Sequence, residues 1–275
     1  MAIFSSADRR ISVWYSTPSI LRLVVEYGKL EERDWSALRL VLFAGEVFPV
    51  KHLRALKKLW PVPEYFNLYG PTETNVCTYF EIPRDIPDDR TEPFPIGFTC
   101  SADRAIVVDD DDREVAAGDD GELLIAGGSV MRGYWNLPDR TAQSFFIDTS
   151  GTSWYRTGDL VRLSADDGYI FSGRRDRMVK RRGYRVELGE IEAALYRHPL
   201  VSEVAVTSVP DEANGVLVKA FLALTGETRP SLVEMKRFCM DHLPAYMVPD
   251  RFIFPGALPK TSTDKVDYQR LKELG

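Results

Sequence analysis

The 275-residue chain is 44% hydrophobic and 28% charged with a net charge of −6, long enough to bury two or three cores and too acidic for nucleic acid to be its main partner, because phosphate neutralisation needs a basic face. Three scattered cysteines exclude a disulfide framework, and neither they nor the histidines show zinc-ligand spacing. No apolar run approaches the roughly 18 residues of a membrane span and no signal-peptide core is visible, so a soluble, cytoplasmic protein with no membrane partner is the expectation.

Residues 11–15 read as a strand. Ser16-Thr17-Pro18 then supply cap and first-turn signals for a helix that carries Ile20, Leu21, Leu23, Val24 and Val25 and stops at Gly28. Residues 38–43 form a continuous apolar run, as in a strand buried on both faces. Pro49 opens a second helix with Leu53, Leu56 and Trp60 at helical spacing, and residues 66–69 make the next strand. Strand-helix-strand-helix-strand order implies a parallel sheet. Prolines between 83 and 95 mark a connection to short β segments at 105–108, 122–126 and 169–172, which suggest a small barrel or sandwich. Asp109 to Asp112 lack the Gly and distant Glu of a calcium loop and read as a solvated hairpin turn. From about residue 173 an α+β unit follows. It has a helix over 190–197, strands at 204–209 and 217–224 around the Asn214-Gly215 turn, a Ser231/Glu234 capping box for a helix through His242, and a strand at 252–254. The division expected is 1–82 (part of an α/β core), 83–175 (a small β subdomain) and 176–275 (an α+β domain).

Several polar stretches carry the chemistry. NLYGPTETNVCTY (67–79) packs a Gly-Pro turn, threonines and an acid into a few residues after a strand, and Ala44-Gly45-Glu46 follows the strand before it. Strand ends opening into such loops are where α/β sheets put ligands. Glu73 can hold a divalent cation, Thr72 and Thr74 can donate to phosphate oxygens, and Tyr69 can stack on a base. The same residues also read as a plain turn with a capped helix behind it. GGSVMRGYWN (127–136) is a Gly-rich turn after a strand. YRTGDL (155–160) sets Asp159 behind a Gly, where an acid can take a vicinal diol or merely cap a turn. GRRDRMVKRRGYRVELGEIE (173–192) runs from basic to acidic, and LPKTSTDKVD (258–267) sets Lys265 on a polar loop. Neither a G-x-x-x-x-G-K-[ST] nor a G-x-G-x-x-G fingerprint occurs, which counts against Walker-type and NAD readings.

In this order, YGPTET, GELLIAGGSVMRGYWN, YRTGDL, GRRDRMVKRRGYRVELGEIE, LPAYMVP and DKVD resemble the AMP-forming adenylating superfamily: acyl- and aryl-CoA synthetases, luciferases and the adenylation domains of nonribosomal peptide synthesis. The resemblance covers nearly the whole chain. RGYRVELGEIEAAL and LPAYMVP look most like amino-acid-activating members, and VLFAGEVFP and ISVWYSTPS are similar to stand-alone D-alanine- and proline-activating carrier-protein ligases. The resemblance implies an ATP- and magnesium-dependent ligase that adenylates an amino acid or other small carboxylate and passes it to a carrier protein's phosphopantetheine thiol. It implies a fold of partial parallel-sheet α/β subdomain, small β-barrel-like subdomain and mobile C-terminal α+β lid. By motif position it places Ala44, Gly45 and Glu46 by the adenine with Tyr69 stacked on it, Thr72 at the α-phosphate and Glu73 on magnesium. Asp159, with Arg174, takes the ribose hydroxyls, Asp176 is the hinge, and Lys265 reaches the carboxylate and α-phosphate. Gly183 serves the thioester step, and Tyr15, Leu42, Leu68, Val76 and Cys77 line the acyl pocket.

The sequence departs from that family in three places. The Ser/Thr/Gly-rich loop ending in Pro-Lys-Gly that covers the β- and γ-phosphates occurs nowhere, and with it the upstream Asp for the substrate ammonium is missing. The expectation is therefore a C-terminal portion, weakly active or inactive alone, with an uncovered apolar sheet face. Thr263-Asp264 stand where Asn-Gly is usual before the lysine, and Arg181-Arg182 make the loop after Lys180 unusually basic. The alternatives are a fragment of a CoA-forming carboxylate ligase, or a non-catalytic adenylate- or carrier-binding module that complements a separate N-terminal half.

Overall fold

A computed structural model describes residues 10–181, 184–211, 215–226, 228–262 and 264–274. The chain divides into two compact units, Met1–Phe171 and Ser172–Gly275. The first takes in both the region expected to end at residue 82 and nearly all of the one expected to end at 175. Among the described residues no helix is long and apolar enough to cross a membrane.

The first unit opens with β1 (Val13–Ser16), α1 (Pro18–Tyr27), β2 (Leu40–Ala44), α2 (Val50–Leu59) and β3 (Glu64–Tyr69). Thr17 caps α1 by accepting from the Ile20 N–H, Pro18 fills the first turn, where its missing N–H costs nothing, and Gly28 ends the helix. β1, β2 and β3 pair in parallel, and β4 (Thr78–Glu81) and β5 (Phe98–Thr99) extend the same sheet in antiparallel fashion. Because successive strand residues face opposite sides, Val41, Phe43 and Tyr65 turn to the helices. There they meet Leu21, Val24, Leu53 and Leu56 in one buried cluster, each such side chain stabilising the fold by about 1.5–3 kcal/mol. Trp14, Trp35 and Trp60 pack ring against ring at 4.8–6.2 Å beside it. The opposite face is open: Val13, Tyr15, Tyr79 and Phe98 are 40%, 60%, 44% and 48% exposed.

A second sheet follows, built from β6 (Asp103–Val108), β7 (Asp120–Gly127), β8 (Phe145–Ile147), β9 (Ser153–Ser164) and β10 (Gly168–Arg174), with the short helix α3 (Pro138–Gln143) leading into β8. Its order is β10-β9-β7-β6, and β8 pairs β9. Gly97, just before β5, hydrogen-bonds Tyr169 in both directions and ties the two sheets together. The acidic run forms the expected turn, with Asp109 Oδ1 accepting from the N–H groups of Asp111 and Arg113. β9 was not expected: YRTGDL lies inside the longest strand of the sheet rather than on a turn.

The second unit holds the antiparallel pair β11 (Met178–Arg181) and β12 (Tyr184–Glu187), then α4 (Leu188–Tyr196), β13 (Val201–Asp211), β14 (Gly215–Leu224), α5 (Leu232–His242), β15 (Arg251–Ile253) and α6 (Tyr268–Glu273). β13 and β14 are antiparallel and β15 joins β14 in parallel. Ser231 and Glu234 make the expected capping box. Asn214 of the expected turn lies outside the described residues. α4 and α5 cover one sheet face through Ile191, Leu195, Met235 and Cys239, while Leu258 and Leu271 cover Ala205 and Phe221 on the other. The architecture is α/β plus β plus α+β.

One feature of the first core has a pH signature. Lys51 lies in the first turn of α2, where the helix dipole disfavours a cation. Burial, and then the Arg22 charge, lower its pKa to about 8. The unfolded chain, with a lysine pKa of about 10.4, therefore binds more protons between about pH 8 and 10.4, and stability rises with pH across that window. Lys51→Met is expected to raise the thermal midpoint at pH 7, with the gain shrinking as pH climbs through that window. A gain that stays constant with pH would rule out the ionisation as its source.

Candidate functional site

The loop between β3 and β4 is closed at its base by the Cys77 N–H donating to the Tyr69 carbonyl at 2.9 Å. Inside it, the Thr74 N–H reaches Pro71 O, and Asn75 takes a left-handed φ of +53°. Gly70 is required by this fold-back, since a Cβ there would lie 1.6 Å from the Asn75 carbonyl oxygen. The competing reading of a plain turn with a capped helix behind it does not hold, because the chain reverses straight into β4. Thr74 is also corrected: it is fully buried and its hydroxyl lies 3.1 Å from Asn75 O and 3.3 Å from Pro71 O, so it braces the loop and faces no ligand. Thr72, by contrast, is exposed at the tip. Cys77 is fully buried among Ile96, Val107, Leu123 and Ile125, and burial pushes its thiol up to about 11. It fills the core behind the loop.

Asp159 reaches this loop by way of an irregularity in β9. Glu122 pairs with Leu160 and Leu124 with Arg156, so three residues of β9, Thr157, Gly158 and Asp159, stand opposite Leu123 alone. Such a bulge breaks the ladder and re-aims a side chain. Side chains replace the lost ladder bonds. The Thr157 hydroxyl donates to Leu123 O at 2.7 Å and accepts from the Asp159 N–H at 3.0 Å, and Gly158, at φ +70°, donates its N–H to Glu122 Oε1 at 3.1 Å. The result puts the buried Asp159 carboxylate under the Tyr69 hydroxyl, which donates to it across 90 residues of sequence. Burial, reinforced by the Asp159 charge, holds the Tyr69 phenol well above its ordinary pKa, so it is a hydrogen-bond donor throughout the physiological range.

Glu73 has partners that the sequence did not disclose. The Tyr134 hydroxyl, from the GGSVMRGYWN loop, donates to Glu73 Oε1 at 2.6 Å, and the Met131 N–H donates to the Glu73 carbonyl at 2.7 Å. Tyr155 joins them, its pKa raised first by burial and then by Tyr134 and Glu73. Among the described residues no three His, Cys, Asp or Glu side chains gather to hold a metal unaided. Magnesium, however, is commonly held by one or two carboxylates together with substrate phosphates and water. A single carboxylate on a loop with an exposed threonine beside it fits that pattern.

The end of β2 and the loop after it carry Ala44, then Gly45 and Glu46. Glu46 accepts from the Ser19 N–H at 3.0 Å and its hydroxyl at 2.5 Å, and so docks on the first turn of α1. Strand register places Tyr15, Leu42, Leu68 and Ala44 on the open face of the first sheet, with Tyr15 beside Leu42 and Leu68 beside Ala44. Val76 is half-buried in the β3–β4 loop.

Arg174, Asp176 and Lys265 belong to the second unit. Asp176 sits in a single 3-10 turn, Arg175–Arg177, and Arg177 anchors the following chain by donating to Glu192 at 2.6 Å and to Val206 O at 3.1 Å. Lys265 is exposed on a tight turn in which the Thr261 N–H donates to Lys265 O at 2.7 Å. Asp264 takes the left-handed φ of +63° that a glycine would adopt without strain. Gly183 lies outside the described residues. Arg181, whose role the sequence left open, is buried and donates to Tyr246 O, Val248 O and Asp250.

A family model described as AMP-binding enzyme matches residues 6–135, and one described as AMP-binding enzyme C-terminal domain matches residues 190–265. An L-proline--[L-prolyl-carrier protein] ligase of Streptomyces coelicolor is 45% identical over 95% of the chain and 49% of its own length. The ligase of that name from Pseudomonas fluorescens is 42% identical over 94% of the chain and 50% of its own length. A solved anthranilate CoA ligase in complex with anthranoyl-AMP superposes with a TM-score of 0.84 at 28% identity, covering 99% of this chain and 51% of that one. The chain spans about half the length of the curated relatives it matches. With both family segments matched in order, the chain belongs to the AMP-binding enzyme family.

Proposed function

We propose that this chain is the C-terminal portion of an ATP-dependent, AMP-forming ligase that activates an amino acid as its adenylate and transfers it to a carrier protein's phosphopantetheine thiol. The observation that carries the reading is the meeting of Tyr69 with Asp159 beside a loop that also presents Thr72 and Glu73. That arrangement supplies ribose, phosphate and metal contacts within one compact unit. Asp159 accepts from the ribose hydroxyls, the Tyr69 ring packs on the adenine, and the residue 44–46 loop borders it. Thr72 donates to the α-phosphate. When bound by Glu73, magnesium neutralises phosphate charge as the carboxylate approaches. Lys265 supplies a cation to the substrate carboxylate and α-phosphate, so catalysis is positioning and charge neutralisation. Asp176 serves as the hinge and Gly183 serves the thiol step.

L-proline is the first amino acid to test, given the two ligases above. The open face bearing Tyr15, Leu42 and Leu68 is where an N-terminal half with the phosphate loop would pack. ATP–pyrophosphate exchange should be near background for the chain alone and should rise when it is mixed with such a half. Robust exchange by the chain alone would sink the partial-site reading. Product thioester formed with free CoA, and none with a carrier protein, would move the protein to the carboxylate–CoA ligases.

A further inference from the structure

We propose that Glu122, locked by Arg156 and Asp112, is the positioning residue that aims Asp159, and so sets how strongly the site requires a ribose with both hydroxyls. The inference rests on the ribose reading of Asp159 and goes beyond it to the residues that make that contact possible.

The bulge at Thr157, Gly158 and Asp159 removes Gly158 from the strand ladder and turns it left-handed. The ladder is regular on both sides, Glu122 with Leu160 and Leu124 with Arg156, but within the bulge no strand pairing aims the Asp159 side chain. Glu122 Oε1 takes the Gly158 N–H at 3.1 Å and holds the bulge backbone just before Asp159. Glu122 is only 4% exposed, and a buried carboxylate is tolerated only where it is paired and hydrogen-bonded. The pairing comes from the same bulge: Arg156, the residue before Thr157, donates to Glu122 Oε2 at 2.9 Å with one arm of its guanidinium and to Asp112 with the other. Asp112 stands at φ +61° in the acidic turn that Asp109 organises. This turn, which reads in sequence as solvated charge, is therefore the outer anchor of a chain running Asp112–Arg156–Glu122–Gly158 to Asp159. A buried ion pair is weak evidence of stability. Here the pair holds Arg156 and Gly158, the stretch of backbone that leads into Asp159, which makes geometry its product.

The test compares AMP with 2′,3′-dideoxy-AMP by ligand-observed NMR titration of the 275-residue chain, a readout that registers weak binding and needs no turnover. The parent should prefer AMP by about 10- to 100-fold, the range for hydrogen bonds to a charged group. Asp159→Asn should collapse that preference. Glu122→Gln should reduce it to within about threefold while changing the dideoxy affinity less than threefold, because the pocket survives and only the aim of Asp159 is lost. Asp112→Asn, which alters a more exposed side chain, should lower the preference partway and provides the deciding variant if Glu122→Gln fails to fold. Equal weakening of both nucleotides by the Glu122 and Asp112 variants would mark a merely structural role and overturn the proposal. So would an unchanged preference in both variants when Asp159→Asn collapses it. No preference in the parent, or none lost in Asp159→Asn, would overturn the ribose reading itself.

Discussion

Lys265→Ala is expected to slow adenylate formation in the reconstituted enzyme by on the order of 10²–10³-fold, the usual cost of removing one preorganised group that meets transition-state charge. The backbone that presents this lysine is unusually well fixed for so exposed a side chain. The Thr261 N–H donates to Lys265 O, the Asp264 N–H donates to Thr261 O at 3.0 Å, and Lys260 bridges Val266 beyond the turn. The cost of the turn falls on Asp264, a non-glycine residue at φ +63°, where the left-handed conformation carries a penalty of about 1 kcal/mol. Its carboxylate also precedes the cation that has to meet two anions. Asp264→Gly is therefore expected to raise both the thermal midpoint and the exchange rate, while Lys265→Ala leaves the midpoint unchanged. Single-turnover adenylation and thermal melts read the two effects separately. An alanine variant within twofold of the parent would remove Lys265 from the chemistry.

What the sequence made legible was local. Thr17 and Gly28 bracket α1, Ser231 and Glu234 start α5, and Asp109 organises its turn, because each works through backbone groups two to four residues away. The family was legible for another reason: its motifs stand in order along the chain, and the comparisons bear that family out. Hidden from the sequence were the contacts that hold those residues. Tyr134 meets Glu73 across 61 positions, Glu122 meets Gly158 across 36, and Glu46 meets Ser19 across 27. A hydroxyl or N–H on a carboxylate at such a distance leaves no periodicity to read. β9 was missed for a related reason. Its bulge needs Thr, Gly and Asp in a row, the composition of a turn, although flanking Trp154, Tyr155, Leu160 and Val161, all buried, carry the strand signal on either side. Thr74 went the other way: a threonine in a phosphate-like loop looks like a donor until packing consumes its hydroxyl.

Arg181→Ala is expected to destabilise the second unit by about 3 kcal/mol, and the reasoning turns on what the arginine leaves behind. Arg181 is 3% exposed. One arm of its guanidinium donates to the carbonyls of Tyr246 and Val248 at 2.9 and 2.8 Å, and the other to Asp250 Oδ1 at 2.5 Å, while Asp250 Oδ2 accepts from the Val218 N–H at 2.7 Å. Removing one partner of a buried pair costs about 3–5 kcal/mol because the other charge stays behind. Asp250 is partly solvated, which puts the value at the lower end. Among the described residues the buried Arg181 Nε has no partner, so an apolar isostere recovers some of the loss, and Arg181→Met should cost less than Arg181→Ala. The pin also holds a functional segment. β12 grips the same 245–247 turn through Tyr184, whose ring stacks on Tyr246 at 4.2 Å and 4°. Both strands of the hairpin that brackets residue 183 are thus fastened to one place. Loosening β11 should slow transfer to the carrier thiol more than it slows ATP–pyrophosphate exchange, since the proposed mechanism assigns exchange to Lys265 and the thiol step to the residue 183 segment. Urea denaturation gives the first quantity and the ratio of the two half-reactions the second. A cost below about 1 kcal/mol would show that solvent replaces the pin, because exposed ion pairs are worth no more than that.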